Sequence, residues 1–166
     1  MADDWRLTAL LANGQIINRN VSAGLIAEEA SPWHGTAAVD GSPGSEIVLV
    51  TSQGAHLQSF EMYTYRNGRL ADVNTPGADE NTWVIDSASL GFAGVTCGRQ
   101  GTQSTVLLTS YSRVDGASPG YEGDETLYGW NGTGWTKLSE THRVYGLDDP
   151  ALRTLGGWRC PGLPEF

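Results

Sequence analysis

The chain has 166 residues, the length of one domain, with a formal net charge of −9 and only 17% charged residues. Its nine Arg and single Lys, Lys137, never number more than two in any five-residue stretch. That excludes the clustered cations nucleic acid or anionic lipid demands, and no apolar run approaches the roughly 20 residues of a membrane-spanning helix.

The start, Met1-Ala2-Asp3-Asp4, has neither the basic residues nor the apolar stretch of a signal peptide. It reads as an initiator Met on a trimmed domain whose precursor carries a signal or lipid anchor. From Trp5 to Val21 the residues flank Asn13-Gly14, and Gly supplies the positive φ of a tight turn, so a hairpin is predicted. Gly24–Ala30 predicts about two helical turns, stopped by Pro32. Ile47-Val48-Leu49-Val50 is a short apolar run bounded by Gly and Ser, the pattern of a buried strand. The aromatic strand Phe60–Tyr65 follows, then Asn67-Gly68 and a returning strand, Arg69–Val73. The same order recurs downstream in Thr105–Leu108, Thr126–Trp130, Asn131-Gly132 and Trp135–Leu138. Between them, Asp115–Asp124 is rich in Gly, Ser and Asp and reads as the longest polar loop, a candidate functional loop containing Tyr121. Asp148-Asp149-Pro150 reads as a helix cap leading into one turn.

The recurrence is an internal repeat. AAVDGSPGSEIVLVTS, from Ala37 to Ser52, matches AGVTCGRQGTQSTVLLTS, from Ala93 to Ser110. One copy spans 35–75 and a second 91–140, each expected to form four strands. The ends read as a split third copy, 5–21 plus 155–166, since LGGWRC at Leu155–Cys160 resembles LGFAGVTC at Leu90–Cys97. The expectation is a single all-β domain of imperfect four-stranded repeats in a compact propeller-like, barrel-like or sandwich arrangement. Its last strand would pair beside its first, or a homodimer would complete the ring.

Cys97 and Cys160 lie far apart with no CxxC and no nearby His, so zinc is not indicated. A disulfide is the reading adopted, with two buried thiols as the alternative. A Gly- and Trp-rich, Lys-poor composition fits an exported protein, secreted or at the cell surface, and suggests a high-GC bacterial genome.

The stretch Val39–Val48, VDGSPGSEIV, resembles an FG-GAP/VCBS-type repeat, as in integrin-α-like propellers and secreted actinobacterial proteins. The resemblance implies a β-propeller blade with calcium in an Asp-rich loop before an Ile-Val strand. Here Ala38, Ser42 and Pro43 replace two of the acids and a Gly of that loop, leaving Asp40 and Glu46; the second copy has Thr96-Cys97-Gly98 and no acid. Calcium takes about six to eight oxygens, so the loop is read as a structural turn and no cofactor is expected, with calcium held by Asp40 and Glu46 as the alternative.

No elbow, P-loop or dinucleotide fingerprint appears, and His34, His56 and His142 are isolated. The acid pairs Asp79-Glu80, Asp124-Glu125 and Asp148-Asp149 read as solvated turns rather than glycosidase carboxyls. Six Trp invite sugar stacking; Trp130 and Trp135, flanking the third hairpin, are explained as a cross-strand pair. The candidate ligand-binding residues are Trp33, His34, Trp83 and Tyr121. The expected function is a non-catalytic interaction module binding an unidentified protein or carbohydrate. A sugar-binding module would show an exposed aromatic strip, and a small hydrolase a pocket where acids and a histidine converge.

Overall fold

The computed structural model describes residues 4–22 and 31–165, and these are almost wholly β-sheet. The helix predicted at Gly24–Ala30 lies outside the described residues.

β1 (Asp4–Leu10) and β2 (Ile16–Ser22) form a separate antiparallel hairpin. A first meander follows: β3 (Trp33–Ala37), β4 (Glu46–Gln53), β5 (Leu57–Arg66) and β6 (Arg69–Asp72). After β7 (Trp83–Ala88) comes a second meander: β8 (Gly91–Gln100), β9 (Gln103–Val114), β10 (Gly120–Trp130) and β11 (Trp135–Gly146). The predicted cap is present: the Asp149 carboxylate accepts from the Ala151 N–H and opens a 3-10 turn, Pro150–Thr154, with Pro150 at its start. β12 (Gly157–Arg159) ends the fold.

All three Asn-Gly signals sit in hairpin turns. The tightest is Asn67-Gly68, where φ values of 51° and 80° place both central residues in the left-handed region of a two-residue turn. Asn tolerates that region and Gly has no Cβ to clash, so the pair sets the register of β5 against β6.

β7 joins the meanders, pairing with β5 over Trp83–Asp86 and with β8 over Asp86–Ala88. Ten strands thus share one sheet, which folds into an open, sandwich-like arrangement and not a closed barrel. Alternate residues point inward. Val48, Phe60 and Met62 of the first meander meet Val95 and Val106 of the second around Trp83, Ile85 and Trp158. Each large buried side chain contributes on the order of 2–3 kcal/mol by leaving water. The first meander's outer face is covered as well: Leu7 and Val21 of the β1–β2 hairpin pack on Ile47, Leu49 and Tyr63.

The expected ring closure is not what the chain does. β12 pairs with β8 in parallel, setting Gly157, Trp158 and Arg159 opposite Gly94, Val95 and Thr96. The GWRC stretch therefore lies beside GVTC, the segment it resembles, and Cys160 is joined to Cys97 by a disulfide across 63 residues. Gly162 and Leu163 then lie against Gly35 and Thr36 of β3. A short C-terminal strap so spans the two meanders.

The predicted loop at Asp115–Asp124 is also corrected. β10 already begins at Gly120, leaving only 115–119 as the turn. Gly123 is a strand residue where the backbones of Ser110 and Tyr111 leave no room for a Cβ. What looked like turn chemistry in the sequence is close strand packing.

Candidate functional site

The β5–β6 and β10–β11 turns face each other, and between them the surface opens into a cleft of about 860 Å3. Its back wall begins with Asp40, buried in the loop after β3. The Asp40 carboxylate accepts from the Ser42 N–H at 2.7 Å and pairs with the guanidinium of Arg66, at the end of β5. Arg66 also lies over the Trp130 ring, 5.4 Å from its centroid. Counting back from Asn67-Gly68 and Asn131-Gly132, Arg66 and Trp130 hold the same place before their turns, so the two matched hairpins meet through a cation–π contact. Trp130 packs edge-on to Trp135 across the β10–β11 ladder, centroids 5.0 Å apart.

The opposite wall is held by Arg19 of β2. Its guanidinium pairs with Asp72 at 2.7 Å, donates to the Leu70 carbonyl, and lies 4.6 Å from the Tyr63 ring centroid. Burial works to raise the Asp72 carboxyl, but hydrogen bonds from Arg19 and Asn81 outweigh it and hold the group below its ordinary value. Burial pushes the Tyr63 phenol up, and its hydrogen bond to Glu61 adds to that. Arg69, Asn67, Asn74 and Asp79 line the cleft from exposed positions. The three arginines and three aspartates that line it balance in charge, in contrast to the chain's net −9.

None of the four candidate ligand residues lines this cleft. Trp33 is exposed on edge strand β3. His34 turns inward over Phe60, ring centroids 4.8 Å apart, and burial lowers its pKa below the ordinary imidazole value. Trp83 is fully buried, its Nε1 donating to the Val73 carbonyl at 2.9 Å, so it is a core residue and offers no binding platform. Tyr121 is buried on a strand against Phe92, donating its hydroxyl to the Ser89 carbonyl.

Asp40 and Glu46 do come together, but with protein partners. Glu46 accepts from the Val39 N–H at 2.6 Å and from the Thr64 hydroxyl at 3.3 Å, and burial raises its pKa. The cation facing Asp40 is supplied by the chain itself, as Arg66. Among the described residues no third His, Cys, Asp or Glu joins them as a metal-ligating group.

The acid pair Asp124-Glu125 separates. Asp124 and Glu125 point to opposite faces of β10: Asp124 meets His142 at 2.9 Å, while Glu125 accepts from Tyr111, Tyr145 and Arg143. Arg19, Arg66, Asp72 and the Trp130–Trp135 pair had no signal as a group, since they come from three hairpins far apart in sequence.

No helix among the described residues is long and apolar enough to cross a membrane. Comparison with protein-family models, with curated proteins and with solved structures finds no match to this chain.

Proposed function

We propose that this protein is a non-catalytic interaction module acting outside the cell, and that its ligand occupies the cleft between the β5–β6 and β10–β11 turns. One observation carries the reading: two of the cleft's three acid–base pairs are already neutralised within the fold, Arg66 on buried Asp40 and Arg19 on exposed Asp72, beside an indole pair. A general acid needs a carboxyl kept protonated near neutrality, whereas the Asp72 carboxyl is held low. Paired charges instead present fixed hydrogen-bonding groups without a strong field, which suits a polar ligand of no net charge. The disulfide supports an oxidising compartment. The degenerate Asp40 loop, with Arg66 standing as its cation, is compatible with an FG-GAP-type ancestry in which calcium has been dispensed with.

Carbohydrate is the ligand class favoured by a specific feature. Trp130 and Trp135 lie beside Asn67, Asn74, Arg69 and Asp79, and an indole face with planar polar side chains matches a pyranose ring and its hydroxyls. The test is tryptophan fluorescence and amide NMR titration with a panel of neutral oligosaccharides, with products followed by chromatography. Saturable shifts at Trp130 and Arg69 that Trp130→Ala abolishes are expected, with the sugars recovered intact. Shifts elsewhere or none at all would sink the carbohydrate reading, and cleavage of a sugar would replace the module with a hydrolase.

A further inference from the structure

The ten-stranded sheet has two ends, and they are finished differently. At one end β3 is five residues long, irregular between Trp33 and Gly35, and flanked by Gly162 and Leu163. At the other, β11 runs twelve residues, and among the described residues only β10 pairs with it. Ten of those twelve are exposed, which leaves the strand without a layer over it. Sheet edges are ordinarily guarded by Pro, by Lys or by a bulge, because unpaired N–H and C=O groups template further strands. β11 has no Pro, and its two guards, Lys137 and the bulge at Leu138, sit together next to the turn. From Ser139 to Gly146 the edge carries no Pro, Lys or bulge, and its charged side chains, Glu140 and Arg143, are paired within the chain to Lys137 and Glu125.

We propose that this edge is a self-association surface, on which a second copy of the chain pairs β11 to β11, antiparallel, about a two-fold axis at Thr141. A two-fold normal to the sheet keeps each residue on its own face, so the choice of axis fixes every opposing pair. With the axis at Thr141, Glu140 lies opposite His142 of the partner subunit and Ser139 opposite Arg143 of the partner subunit, each pair occurring twice. An axis at Glu140, His142 or Arg143 instead sets two carboxylates, two imidazoles or two guanidiniums against each other. Within β11, Thr141 is the only axis position that sets a carboxylate opposite a basic side chain. Opposite-charge pairs across strands stabilise and like charges directly opposite destabilise, so the strand's own charge pattern selects this register.

The imidazole is already placed for it. His142 Nδ1 bonds Asp124 on β10 at 2.9 Å, Glu140 lies two residues away on the same face, and Glu122 faces Val144. Arg143 is turned to the other face, with Glu125.

Sedimentation velocity on the full chain tests the proposal, with circular dichroism on each variant to check its fold. The wild type is expected to form a dimer of twice 17.7 kDa. Thr141→Arg sits beside Glu125 within its own chain but faces its own copy across the axis, and should give a monomer. Glu140→His and His142→Glu should each weaken the dimer roughly tenfold or more, since each sets like groups opposite. Mixing these two variants restores both unlike pairs and should yield a heterodimer, which misfolding cannot imitate. A wild type that stays monomeric at every concentration and pH, a dimer that Thr141→Arg leaves intact, or a mixture that fails to pair would each overturn the proposal.

Discussion

Asp40, in the loop after β3, and Cys97, within β8, are fastened by different chemistry. Asp40 is buried and tied to Arg66, whose guanidinium then reaches Trp130 of the other meander. Cys97 is tied covalently to Cys160 on the C-terminal strap. The ion pair draws the two turns together and helps wall the cleft, whereas the disulfide lies in the core and fixes the strap. One fastener thus shapes the cleft and the other the scaffold.

The largest expected effect comes from cutting the covalent fastener. Cys97→Ser with Cys160→Ser should cost about 2–4 kcal/mol in urea unfolding, because the closed loop between them is long. The cleft should survive, so Trp130 fluorescence in the folded state should be unchanged. Arg66→Ala comes next, at about 2 kcal/mol, less than for a fully buried pair because Arg66 is partly solvated. Most of that loss comes from leaving Asp40 charged and unpaired, so adding Asp40→Asn should recover part of it, and a double variant no more stable than Arg66→Ala would refute the assignment. The smallest effect is a pH dependence at His34. Its folded pKa lies below the unfolded value of 6.5, so its neutral form fits the fold; the stability it permits is complete above that value and falls as the pH drops below it. His34→Leu should flatten the acid limb of stability against pH, and an unchanged slope would show that His34 takes up its proton as readily in the fold as in the unfolded chain.

Much of the fold was legible because its signals are local. Each Asn-Gly turn needs only its own two residues and flanking strands, and all three were found. The likeness of GWRC to GVTC was visible too, but a likeness in sequence does not say which edge a strand joins, and ring closure was expected where β12 in fact lies beside β8. Trp83 and Tyr121 were misjudged because exposure depends on which face of a strand is covered, and that is decided by distant packing. The cleft was the least legible part. Trp130 and Trp135 were accounted for as a cross-strand pair, which they are, and nothing local placed Arg66 on Trp130 or Arg19 on Asp72.

The strap also has a consequence in time. Trp158 stands in the middle of the core, touching the aromatic rings of Phe60 and Trp83, yet it is translated after all of β3 to β11. During synthesis both meanders can form their local hairpins, but the space between them lacks its central indole until the strap leaves the ribosome. Contacts of such large sequence separation come late and slowly. The nascent chain therefore carries β3 and then β8 unsealed until the strap follows, and the β11 edge is complete before the core that supports it.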